Sequence, residues 1–150
     1  YRGRNLFNLG SYEEALSYFN TALEHDPEDE DLPYIYSYLG NCLVNLERFD
    51  EAIAALQEGC EHDEERPDLH NLLGVCYFKK QEYAKAIPCF KRAVELNPTS
   101  AMDYANLGVN HAKIDKNPEA IQFFTLALTL DPTLDFAREY LNRLVTQKNS

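Results

Sequence analysis

Histidine and cysteine have the widest chemical reach in this 150-residue chain, and it has four of each. His25, His62, His70 and His111 stand apart from one another, as do Cys42, Cys60, Cys76 and Cys89. His62 follows Cys60 closely and His70 precedes Cys76, which raises the question of a metal. A zinc site needs short, paired ligand spacings, and no CxxC pair or equivalent exists. No G-x-S-x-G turn, glycine-rich phosphate loop or HExxH helix is present. The chain therefore reads as non-catalytic, without cofactor or metal. Cys42 and Cys76, 34 residues apart, fit small buried hydrophobes carrying reduced thiols.

Carboxylates are the second reactive group. The formal net charge is -11, and its excess is local. Glu24, Asp26, Glu28, Asp29, Glu30 and Asp31 crowd one stretch, and Glu58, Glu61, Asp63, Glu64 and Glu65 another. Residues 1–66 carry 4 bases against 16 acids, and residues 67–150 carry 10 against 9. No EF-hand pattern is present. The reading is a solvated, solubilising edge, with calcium or a basic partner as alternatives. Nucleic acid is excluded as a partner, because its binding depends on neutralising phosphates. No apolar run approaches the length of a membrane span, so no membrane insertion is expected. No secretory signal is visible, and the expected localisation is cytoplasmic.

The elements that carry these residues repeat. Gly3, Gly40, Gly74 and Gly108 form one column, and Ala15, Ala52, Ala86 and Ala120 a second. Phe19, Leu56, Phe90 and Phe124 follow in phase, then Ala22, Gly59, Ala93 and Ala127. The closing column is Pro27, Glu64, Pro98 and Pro132. Residues 67–100 are the best copy: two amphipathic helical patterns joined by a polar turn and ended by Asn97-Pro98. This resembles the tetratricopeptide repeat (TPR), a helix-turn-helix unit of about 34 residues with an L-G-x-x-Y, A-x-x-x-F, then P pattern. The resemblance implies an all-α fold, a right-handed α-solenoid of antiparallel helix pairs with a concave inner surface. It divides residues 1–150 into one array, with repeats at 1–32, 33–66, 67–100 and 101–134 and a capping helix at 135–147. By the phase, about five residues of the first helix are expected to precede Tyr1.

Local signals refine this reading. Ser11 with Glu14 predicts a capping box for the helix from Tyr12. Pro33 and Pro67 open helices where a missing N–H costs nothing. Asn117 predicts an N-cap, with Pro118 at the first helical position. It also stands where other repeats have Tyr12, Phe49 and Tyr83, so an aromatic contact is lost. Gly59 and Glu64 depart from the pattern, predicting early fraying and a mobile turn. Pro88 falls mid-helix, where it predicts a kink but no break, at a cost of about 3 kcal/mol. In the last helix Phe136, Ala137, Tyr140, Leu141, Leu144 and Val145 make the apolar side.

In the family it resembles, the first helix of each repeat lines the concave face. Carried onto this chain, the lining is Arg4, Phe7 and Asn8; Tyr34, Ser37, Asn41, Val44 and Asn45; Asp68, Asn71, Val75, Phe78 and Lys79; and Met102, Ala105, Val109, Ala112 and Lys113. Arg143 closes the far end. The implied function is a protein-protein interaction module, adaptor or scaffold, holding an extended or helical peptide segment of a partner. Asn41, Asn45 and Asn71 can bond a peptide backbone. Phe7, Phe78 and Val109 offer apolar pockets, and Lys79 and Lys113 can meet a carboxylate. The alternatives are simple solvation for the asparagines and inter-repeat packing for the apolar cluster. For the whole chain they are a regulatory or targeting domain of a larger enzyme, or a scaffold self-associating through its N-terminal face. The Lys/Asn/Arg clamp of co-chaperone domains does not carry over, since its positions fall on Tyr38, Asp68 and Leu72.

Overall fold

The structure is a computed structural model that describes residues 11–148. The proposed helix from Tyr1 to Leu9, with Gly3, Arg4, Phe7 and Asn8, lies outside the described residues. Within them the chain forms helices α1 (Tyr12–Glu24), α2 (Leu32–Asn45), α3 (Phe49–His62), α4 (Pro67–Lys79), α5 (Tyr83–Leu96), α6 (Ala101–Lys113), α7 (Asn117–Leu130) and α8 (Asp135–Lys148). A short 3-10 turn, Asp29–Asp31, precedes α2. These eight helices fit about four repeats and a capping helix.

Each helix packs on its sequence neighbour, and α2 also touches α4, so first helices line up beside one another. Helices that neighbour in sequence across short turns run antiparallel. Glu47, Gln81 and Asp115 turn the chain between the helices of a pair, at φ of 59°, 63° and 62°. All three are non-glycine residues in the left-handed region. The N–H groups of the next residues, Arg48, Glu82 and Lys116, donate back to the carbonyls of Leu43, Tyr77 and His111, at 2.8 Å in each case. This double-bonded helix end closes orphan carbonyls and sets the hairpin angle.

The repeat columns are the core. Ala52, Ala86, Ala93, Ala120, Ala127, Leu56, Phe90 and Phe124 are all buried. Each such Phe or Leu contributes about 1.5–3 kcal/mol by burial. The glycines permit it: a Cβ on Gly74 or Gly108 would fall 2.7 or 2.9 Å from the ring of Phe90 or Phe124. Cys42 and Cys76 are buried in the same layer, and Cys60 and Cys89 are partly buried.

Several local expectations are corrected. Ser11 precedes α1, but its side chain makes no capping hydrogen bond, so there is no capping box. Ser100 does cap α6, its Oγ accepting from the Asp103 N–H at 3.3 Å. Asn117 is the first residue of α7 and not its N-cap, which is Lys116; Pro118 thus sits one position further in. The helix from Phe49 does not end early, matching α5 and α7 in length. Its turn is tied by Arg92, whose Nε and Nη2 fork Glu64 at 2.6 and 2.8 Å. Glu64 therefore contributes a cross-repeat ion pair where the pattern has proline. As expected, helix α5 is not broken at Pro88, which lies on its exposed side. In α8 only Ala137 and Leu144 are buried, while Phe136 and Val145 stay exposed.

Candidate concave binding surface

The first helices α2, α4 and α6 are linked by polar rungs that cross from one repeat to the next. Ser37 Oγ donates to Asp68 Oδ2 at 2.8 Å. Arg66 forks the same carboxylate, with Nε to Oδ1 at 3.1 Å and Nη2 to Oδ2 at 2.8 Å. The Arg66 guanidinium also lies 4.6 Å over the Tyr34 ring. Burial pushes the Asp68 carboxyl up, but the Arg66 and Ser37 hydrogen bonds outweigh it and hold the group below the usual carboxylate range. One repeat on, Asn71 Nδ2 donates to Oδ1 of Asp103, a buried acid.

These rungs change what the predicted residues do. Asp68 and Asn71 brace neighbouring repeats. Asn45 is exposed and donates to both the carbonyl and Oδ1 of Asn41, at 2.8 Å each. Val109 is not an open pocket wall: it is 7% exposed and belongs to the core with Ala105. Val75 and Phe78 are partly buried against the neighbouring core of Ala86, Phe90 and Leu107, and the Phe78 ring stands 5.7 Å from Tyr83. Lys79 and Lys113 are exposed, and Met102 is 48% exposed. Lys113 Nζ lies 6.0 Å from the Tyr83 ring. Of the predicted lining, Tyr34, Asn45, Lys79, Met102 and Lys113 are exposed above this braced layer, and Asn41 is half-buried.

Arg66 and Asp103 were missed by sequence reasoning. The available signal was spacing: Ser37 to Asp68 and Asn71 to Asp103 are 31 and 32 residues apart, close to one repeat.

Two cavities flank this surface. The larger, about 480 Å³, is lined by Tyr18, Phe19, Ala22, Pro27, Asp31, Tyr34, Ile35 and Tyr38. It adjoins helices whose sequence-predicted partner lies outside the described residues. The smaller, about 230 Å³, lies between the ends of α6 and α8 and the start of α7. No group of three or more His, Cys, Asp or Glu residues among those described could hold a metal ion. No helix of the described residues is long and apolar enough to cross a membrane.

Family models described as tetratricopeptide repeat match residues 6–74 and 67–100. No curated protein matches in sequence. Among solved structures, MamA residues 41 to the end from Desulfovibrio magneticus RS-1 superposes with a TM-score of 0.88 at 22% identity, over 98% of this chain and 81% of that one. YrrB, a TPR protein with an unusual peptide-binding site, gives 0.82 at 25% identity, over 91% and 69%. The first TPR domain of Spaghetti (RPAP3), bound to the HSP90 peptide SRMEEVD, gives 0.76 at 24% identity, over 79% and 94%. These likenesses carry the right-handed solenoid class.

Proposed function

We propose, since the chain belongs to the tetratricopeptide repeat family, that it is a protein-interaction module whose concave face holds a peptide segment of a partner. The observation that carries this reading is the braced inner face. Asp68 and Asn71 use their polar atoms to fix α2, α4 and α6 relative to one another. A surface fixed in advance loses less entropy on binding. Over that layer Met102 and Tyr34 present exposed apolar area, and Lys79 and Lys113 present charge. YrrB and the Spaghetti domain, which share the fold, have peptide-binding sites. An adaptor or scaffold role follows if the held segment belongs to another protein.

The test uses two positions of matched exposure. Met102 on α6 is 48% exposed and Leu126 on α7 is 46% exposed. A photo-crosslinking residue at Met102 should capture a partner from the native cell extract, and one at Leu126 should not. Equal capture at both, or capture at Leu126 alone, would refute the groove. Asn71→Ala is a poor probe here, because it strips the buried Asp103 of a donor.

A further inference from the structure

The repeat pattern is broken at one place on the inner surface. In the second and third repeats a bulky apolar residue near the end of the first helix precedes an aromatic at the start of the second. These pairs are Val44 with Phe49 and Phe78 with Tyr83. In the fourth repeat the same two positions are Ala112 and Asn117. The missing bulk coincides with the 230 Å³ cavity, whose lining includes Ala112, Asn117 and, from α8, Leu144.

Two cations face this space, Lys113 and Arg143. Arg143 stands one repeat after the core Val109, in a column that also holds Arg4, Asn41 and Val75 and so follows no fixed packing rule. Arg48, Arg66, Arg92 and Arg138 each engage a carboxylate, on Glu51, Asp68, Glu64 and Asp135. Arg143 and Lys113 form no ion pair among the described residues. The Arg143 guanidinium instead lies 4.7 Å over the Tyr140 ring. Stacking fixes the guanidinium plane and leaves its N–H edge free to fork an acceptor.

We infer that this cavity seats an acidic side chain, Glu or Asp, of the segment bound in the groove. Arg143 forks the carboxylate, Lys113 adds a second charge, and Ala112 and Leu144 take the methylene stem. Asp115 on the cavity wall opposes a doubly charged phosphate. The inference rests on the groove reading and adds its chemical preference.

The probe is a library of peptides of about twelve residues, about 40 Å long when extended. The peptides are acetylated and amidated, so that neither end is charged. A parallel library keeps its free C-terminal carboxylate. Selection on the immobilised protein should enrich Asp or Glu at one fixed position of the capped library. Changing that residue to Gln or Asn should weaken a selected peptide about tenfold. Arg143→Ala should cost the same, and the two changes together little more than either alone. Asn117→Tyr, which refills the cavity as Tyr83 does, should erase the preference with helicity retained and other peptides still bound. Selected peptides without an acidic position would overturn the inference and leave the groove standing. So would a preference untouched by Arg143→Ala and Asn117→Tyr, enrichment in the free-carboxylate library alone, or tighter binding of phosphoserine than of Glu at that position. Failure to select any peptide would overturn both the inference and the groove.

Discussion

Replacing Gly74 with alanine should destabilise the array, although alanine is the better helix former. The added Cβ would lie 2.7 Å from Phe90 Cε2 and Cζ and 2.8 Å from Cε1. Carbon atoms rest at about 3.5–4.0 Å, so three ring atoms are overlapped at once. The ring cannot swing away, because Phe90 is 1% exposed and packs in one layer with the buried Ala86 and Leu107. Overpacking of this kind costs about 1–3 kcal/mol. Helix propensity returns about 1 kcal/mol. With three atoms in conflict the upper part of the range applies, leaving a net loss of about 1–2 kcal/mol. For a chain of this size that lowers Tm by about 2–8 °C. Thermal melts followed by helical circular dichroism read it directly. Phe90→Leu should relieve the clash, so the double variant loses less than the two single losses added. A Gly74→Ala protein melting a few degrees higher than the parent would refute the packing argument, since propensity alone predicts that rise.

Glycine at Glu47, Gln81 or Asp115 should raise Tm by a few degrees, because each holds a left-handed φ that favours glycine; an unchanged or lower melt would speak against strain there. Asp68 titrates below its unfolded value, so its stabilisation is complete above the ordinary carboxylate range and fades as pH falls through that range toward its folded pKa. Asp68→Asn should therefore lower Tm at neutral pH and flatten its decline below about pH 4; parallel pH curves for the two proteins would contradict this. Burial pushes the thiols of Cys42, Cys60 and Cys89 up to about 11 and that of Cys76 up to about 12. Ellman's reagent at neutral pH should thus label the native protein slowly and the denatured protein fast, and rapid native labelling would refute the protonated, packed state. The HSP90 peptide SRMEEVD should show no saturable binding, because the clamp positions hold Tyr38, Asp68 and Leu72; tight calorimetric binding would show that another constellation grips it.

The fold was legible because each repeat column encodes a packing contact. Alanine and glycine mark close backbone approach, and Phe90 and Phe124 mark the filled space beside them. Helix ends were less legible. Ser11 and Asn117 look like caps by residue type, yet the Ser11 side chain makes no capping hydrogen bond and Asn117 already lies inside α7. Residue type alone does not fix the helix start to one position. The concave surface was half legible. A repeat register assigns positions to the inner face, and of these Met102, Lys79 and Lys113 are exposed. It does not say which inward residues are consumed by cross-repeat bonds, so Asn71 was read as free and Val109 as a pocket. Arg66 and Asp103 escaped because their cross-repeat partners, the Tyr34 ring and Asn71, each stand 32 residues away in sequence. The cavity beside Arg143 is a different case. Its signal, two bulky positions becoming Ala112 and Asn117, was present in the sequence as a departure from the repeat.

The most direct measurement is amide shift mapping on the isotope-labelled chain with a peptide selected from the capped library. Binding in the groove predicts saturable shifts along α2, α4 and α6, strongest near Asn41, Lys79, Met102 and Lys113. Shifts confined to the outer helices α3, α5 and α7 would contradict it.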